Sequence, residues 1–284
     1  MTTRTLIQAE ELASRLGDPR LQLFDCRFDL ARPAYGCSAY RDEHVPGAIH
    51  ADLNQDLSSP ATPTSGRHPL PSPADFERRL QAWGVNADSL VVAYDDGNGM
   101  YAARLWWMLR WLGHDAVAVL DGGMRRWLQL GLPLDEDVPE PAPGNFAARL
   151  RPTMAATAAD VLAASGDPSS RLVDARAPER YRGEVEPIDR VAGHIPGARN
   201  HPFGLSLDAQ GRFLTSTALR EALTASLDGV GPSSTIAYCG SGVTACHLLL
   251  ALDHAGLAGA RLYPGSWSEW SSDPARPVRT GAAP

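Results

Sequence analysis

The chain's chemistry is concentrated in Cys239-Gly240-Ser241-Gly242-Val243-Thr244. The run follows the β-rich stretch Ser234 to Tyr238 and leads into the apolar-periodic stretch Val243 to His254, so the pattern predicts a strand, a tight loop and a helix. At such a junction the helix start directs free backbone N–H groups and its positive dipole end at the loop. Two glycines let the backbone curl until several N–H groups converge, with Gly240, Gly242, Val243 and Thr244 as the candidates to supply them. A thiolate gains from such donors where a thiol does not, so the context points to a nucleophilic cysteine stabilised by amides. A lone cysteine after a strand is more often small core filler. The Gly-x-Gly context and the helix start argue for chemistry here.

The other three cysteines, Cys26, Cys37 and Cys246, lack that context. Their spacings match no common zinc pattern, and a disulfide framework is not expected in a large intracellular chain. No metal and no organic cofactor is implied. Three arginines, Arg180, Arg182 and Arg190, lie in one segment and offer bidentate grip on a carboxylate, although any one of them is as readily a solvated surface charge. A phosphatase built on such a loop needs Cys-x5-Arg. Position 245 is Ala245, so that chemistry is excluded.

The elements that position this loop occur twice. Leu23-Phe24-Asp25-Cys26-Arg27 answers Leu172-Val173-Asp174-Ala175-Arg176, and His44-Val45-Pro46-Gly47-Ala48 answers His194-Ile195-Pro196-Gly197-Ala198. Val92-Ala93-Tyr94-Asp95 answers Ile236-Ala237-Tyr238-Cys239, and Gly122 and Trp127 answer Gly265 and Trp270. Four matches in the same order imply a duplicated domain in which the first copy has Asp95 in place of the cysteine. His44 and His194 recur in both copies and read as structural. Trp106, Trp107 and Trp111 have helical spacing and read as packing. Strands alternating with helical patterns predict an α/β protein of two domains, each a parallel β-sheet flanked by helices. The expected limits are 1–134 for the first domain, 135–152 for an acidic and proline-rich extended linker, and 153–284 for the second.

The bulk properties fit this. The 284 residues are 44% hydrophobic and 21% charged, as in ordinary globular domains. A net charge of -7 disfavours nucleic acid as a partner. No apolar run is long enough to span a membrane. Met1 to Leu6 lack the apolar core of a secretory signal, so a cytoplasmic protein is expected.

The loop, the downstream Gly265-Ser266-Trp267-Ser268-Glu269-Trp270 and the paired His-x-Pro-Gly-Ala motifs resemble the tandem rhodanese-like sulfurtransferases over nearly the whole chain. The loop is closest to the 3-mercaptopyruvate sulfurtransferase form, because thiosulfate-using members carry Arg and Lys where this chain has Gly240 and Ser241. Tyr263-Pro264-Gly265 departs from the family's usual Tyr-Asp-Gly. The resemblance implies a Cys239 persulfide, with 3-mercaptopyruvate or thiosulfate as donor and thioredoxin, small thiols or cyanide as acceptor. It implies Arg180 and Arg190 as the arginines that hold the donor. It also implies a Ser–His–Asp relay of Ser241, His68 and Asp52, which would give the cysteine-less copy a part in the site. A non-catalytic sulfur carrier is the rival from another class.

Overall fold

The computed structural model describes residues 5–284. Met1 to Arg4, which open the N-terminal segment considered above, lie outside the described residues. The chain forms two compact units. The first comprises 5–59, 71–151 and 209–213; the second comprises 60–70, 152–208 and 214–284. Each unit therefore takes one short segment from the other sequence copy.

In the first unit, β1 (Leu6–Ile7), β2 (Leu21–Asp25), β3 (Ala48–His50), β4 (Leu90–Tyr94) and β5 (Val117–Leu120) form a parallel sheet in the order β1-β5-β4-β2-β3. Central β4 is an almost wholly buried apolar run, as expected of a strand covered on both faces. Helices α1 (Ala9–Ala13), α2 (Tyr35–Asp42), α3 (Pro73–Ala82), α4 (Ala102–Trp111) and α5 (Gly123–Gln129) connect the strands. Leu23, Val92, Tyr94, Leu120 and Trp127 lie together in the core. Trp106, Trp107 and Trp111 on α4 are buried, with the last two stacked at 5.8 Å.

The second unit repeats the plan. Its strands β6 (Arg171–Asp174), β7 (Ala198–Asn200), β8 (Thr235–Tyr238) and β9 (Arg261–Leu262) run parallel in the order β7-β6-β8-β9, and Ala155 bridges Leu262 where β1 pairs in the first copy. Helices α6 (Ala158–Ser165), α7 (Pro178–Tyr181), α8 (Ser216–Leu227), α9 (Thr244–His254) and α10 (Ser266–Trp270) accompany them. The strand-loop-helix patterns read at 90–112 and 234–254 are β4 with α4 and β8 with α9.

The duplicated motifs are structural. Ala48 N–H donates to Val45 O and Ala198 N–H to Ile195 O, closing turns in which Gly47 and Gly197 both have φ of 79°. Only glycine adopts that conformation without strain at the third position of such a turn. His44 and His194 are buried, bonded through Nδ1 to Tyr40 O and Tyr181 O, and stacked on those tyrosine rings at 4.1 and 3.8 Å. Buried pairs Asp25–Arg27 and Asp174–Arg176, each at 2.6 Å, occupy matching strand ends.

Residues 135–151 contain no helix or named strand. The segment is extended as the prolines require, and it is held to the first unit through Gly144 N–H to Gln81 O, Arg149 N–H to Leu112 O and Arg151 N–H to Trp111 O. No described helix is long and apolar enough to cross a membrane.

Candidate active site

β8 ends at Tyr238, and Cys239 begins the loop that enters α9. Val243 precedes the first helical residue, Thr244, and no side chain caps this end of the helix. The N-terminal amides of α9 are thus left to the loop. Gly242 N–H donates to Cys239 Sγ at 3.1 Å. Gly242 has φ of 78°, and a Cβ there would come within 2.5 Å of Pro264 O. Position 242 therefore admits glycine alone, and the backbone of the unusual Tyr263-Pro264-Gly265 packs directly under the loop.

The far side of the loop is held by α10. Cys239 N–H donates to Ser266 Oγ at 3.1 Å, and that hydroxyl donates to Tyr263 O at 2.9 Å. Ser266 takes φ of 54°, which is uncommon for a residue with a side chain. Trp267 N–H and Ser268 N–H donate to Cys239 O and Gly240 O. Cys239 is 2% exposed.

The segment 60–70 crosses the mouth of this loop as a strap. Gly66 lies so close to Gly265 that an added Cβ would meet its carbonyl oxygen at 2.5 Å. Arg67 N–H donates to Ser268 Oγ at 3.1 Å, and His68 Nδ1 lies 2.8 Å from Ser241 Oγ, both side chains being buried. Two guanidinium groups stand over Gly240. A Cβ built there would be 2.9 Å from Arg67 Nη2 and 3.4 Å from Arg180 Nη1. Arg180 is held by Glu186 at 2.7 Å and Asp189 at 3.1 Å, and Arg67 is paired with Asp189. Arg176 Nη1 reaches Glu186 at 3.4 Å, and its guanidinium lies over the Trp267 ring at 4.7 Å, which ties this charge network to α10. Burial raises the Asp189 carboxyl, against the pull of Arg67 and Arg180. At Glu186 burial also pushes upward, but Arg180 and the Asp189 and Ile188 amides outweigh it and the carboxyl sits low.

Cys239, Gly240, Ser241, Gly242, Val243, Thr244, His68 and Arg180 are thus brought together in the second unit. Arg190 is exposed and forms no ion pair among the described residues. Asp52 belongs to the first unit, where its Oδ1 accepts from Asn54 N–H and Gln55 N–H at 2.8 and 2.9 Å. Arg67 and Ser266 carry no assignment from sequence reasoning. Ser266 lies inside the Gly-Ser-Trp run and Arg67 directly precedes His68. The other buried thiols differ in kind from Cys239. Burial, reinforced by the charge of Asp25, pushes the Cys26 thiol well up, and Cys246 Sγ donates to Gly242 O at 3.2 Å. Among the described residues no group of three or more His, Cys, Asp or Glu is placed to hold a metal ion.

The first copy shows what this loop does with an anion. The Asp95 carboxylate accepts from the N–H groups of Gly97, Gly99, Tyr101 and Ala102 at 2.9 to 3.3 Å. Four amides converge on the charge at the position of the cysteine, as an anion-binding nest requires.

Comparison with known proteins agrees with the geometry. The rhodanese-like domain model matches residues 8–130 and again 157–273. The probable 3-mercaptopyruvate sulfurtransferase of Pseudomonas aeruginosa is 50% identical over 99% of this chain and 100% of its own length. A Mycobacterium tuberculosis relative named as a thiosulfate sulfurtransferase is 42% identical over 99% of this chain and 98% of its own. The crystal structure of the Escherichia coli 3-mercaptopyruvate sulfurtransferase superposes with a TM-score of 0.81 at 36% identity, covering 94% of this chain and 100% of that one. The chain belongs to the rhodanese family of sulfurtransferase enzymes, as a tandem-domain member that resembles the 3-mercaptopyruvate sulfurtransferases from end to end.

Proposed function

We propose that the protein transfers sulfur from 3-mercaptopyruvate to a thiol or to cyanide through a persulfide on Cys239, releasing pyruvate. The observation that carries this reading is the loop itself, with a buried sulfur that accepts an amide N–H and two guanidinium groups beside the adjacent Gly240. The donor's carboxylate is held by Arg180, with Arg190 as the second arginine that the resemblance assigns. Cys239 thiolate attacks the donor sulfur; the S–S bond forms as the C–S bond breaks, and the C–S electron pair leaves on pyruvate enolate. The enolate takes a proton delivered through Ser241 and His68, whose 2.8 Å contact supports a shared proton. Asp52 is the proposed third member, and the amides of Gly242, Val243 and Thr244 hold the persulfide's charge. An acceptor thiolate (a small thiol or reduced thioredoxin) or cyanide then attacks the outer sulfur and restores the Cys239 thiolate, giving ping-pong kinetics.

A second reading, with thiosulfate as donor, is favoured by one observation. The loop's own residues are neutral, yet Arg67 and Arg180 bring positive charge to Gly240 from outside it. Pyruvate and sulfide release from 3-mercaptopyruvate with a dithiol acceptor, measured beside thiosulfate turnover, decides between them. Higher kcat/KM for mercaptopyruvate, abolished in Cys239→Ser, is expected; preference for thiosulfate overturns the donor assignment. Turnover of neither would leave a sulfur carrier. A location in the cytoplasm is proposed on the sequence alone.

A further inference from the structure

Arg67 has no part in the cycle above, yet it is placed where a donor's charge must lie. Its neighbours on both sides are fixed to the active loop: Gly66 against Gly265, and His68 against Ser241 at 2.8 Å. Its own N–H is bonded to Ser268 Oγ. With its backbone so held, the Arg67 side chain reaches over Gly240, where Nη2 would lie 2.9 Å from a Cβ, and pairs with Asp189.

Its electrostatic partners are incomplete. Among the described residues Arg180 has two carboxylates, Glu186 and Asp189, whereas Arg67 has the one it shares, Asp189. Arg67 Nε is buried and has no hydrogen-bond partner among the described residues. Around the loop Arg67, Arg176 and Arg180 face Asp174, Glu186 and Asp189, so an arriving anion need displace no more than a shared carboxylate to reach a guanidinium fork.

We propose that Arg67 binds the anionic group of the sulfur donor together with Arg180, and that it sets how well the site takes a dianion against a monoanion. The proposal rests on the sulfurtransferase reading above but holds for either donor. Initial rates for the full-length wild type, Arg67→Ala, Arg67→Lys and Asp189→Asn, with 3-mercaptopyruvate and separately with thiosulfate, test it. Arg67→Ala should raise KM about 10-fold for mercaptopyruvate and more for dianionic thiosulfate, with kcat changed by no more than about twofold, since the lost contact is made in ground and transition states alike. Arg67→Lys should fall between, keeping charge without the fork. Asp189→Asn, which removes the carboxylate paired with Arg67 and one of the two held by Arg180, should lower KM. Arg67→Ala and Asp189→Asn raising KM alike would mean that the pair merely holds the strap, and an unchanged KM in Arg67→Ala and Arg67→Lys would also overturn the proposal. Wild type active on thiosulfate but not on mercaptopyruvate would remove the donor assignment alone, leaving the Arg67 comparison to be read on thiosulfate.

Discussion

Ser241 and His68 meet at 2.8 Å although 172 residues of chain separate them, because the strap and the loop are docked in one unit. If the pair moves the proton to the departing enolate, removing either hydroxyl or imidazole should lower kcat for mercaptopyruvate by about 10²-fold or more. The double variant should lose no more than the worse single one, since the two act as a unit. The same variants should leave alkylation of Cys239 by iodoacetamide at its wild-type rate, which separates proton transfer from damage to the nucleophile. Residue identity made Cys239, Ser241 and Arg180 legible before any coordinates, since their chemistry is local to a motif. Arg67 was not legible: its meaning comes from a neighbour more than a hundred positions away, and an arginine in a loop has no pattern of its own. Ser266 was hidden in the same way, because its role depends on a positive φ that serine does not announce.

Element by element, the two strand-loop-helix units turn loop amides on two different acceptors. In the second the Gly242 amide meets a sulfur; in the first four amides meet the Asp95 carboxylate. Burial raises the Asp95 carboxyl while the Gly99, Tyr101, Gly97 and Ala102 amides lower it, so the group is held by a balance of large opposing effects. Asp95→Ala should strip four buried N–H groups of their acceptor and cost about 2 to 3 kcal/mol in urea unfolding. Asp95→Asn should cost less, because a carbonyl oxygen remains. In both variants the folded protein should keep its Cys239 turnover. Strands β4 and β8 were readable as short β-rich apolar runs, and α9 from its apolar period. The short strands β1 and β9 were not, since two residues carry no period.

At the scale of the molecule, the duplication was visible in the sequence to within a few residues of register, and the repeated turn, stacked histidine and buried Asp–Arg pair explain why those motifs recur. The exchange of 60–70 and 209–213 between units was not visible, because propinquity in sequence gives no hint of which unit a strap packs on. Stability of the whole chain should depend on pH through His201. Burial drives its pKa from 6.5 down to about 4, Nδ1 being bonded to Ser226 Oγ while Nε2 has no partner among the described residues. Above pH 6.5 the imidazole is neutral in folded and unfolded chains alike; as pH falls from there towards 4 only the unfolded chain gains the proton. About 3 kcal/mol is therefore lost progressively across that window. Urea midpoints between pH 7 and 4.5 should fall less steeply in His201→Gln than in the wild type. The carboxylate at position 95 also bears on what the first copy can become. A cysteine placed there would offer a single sulfur to a cluster of amides that now meets two oxygens. A second nucleophile could therefore be built into this chain only at a cost in stability, which ties the first copy to a supporting part.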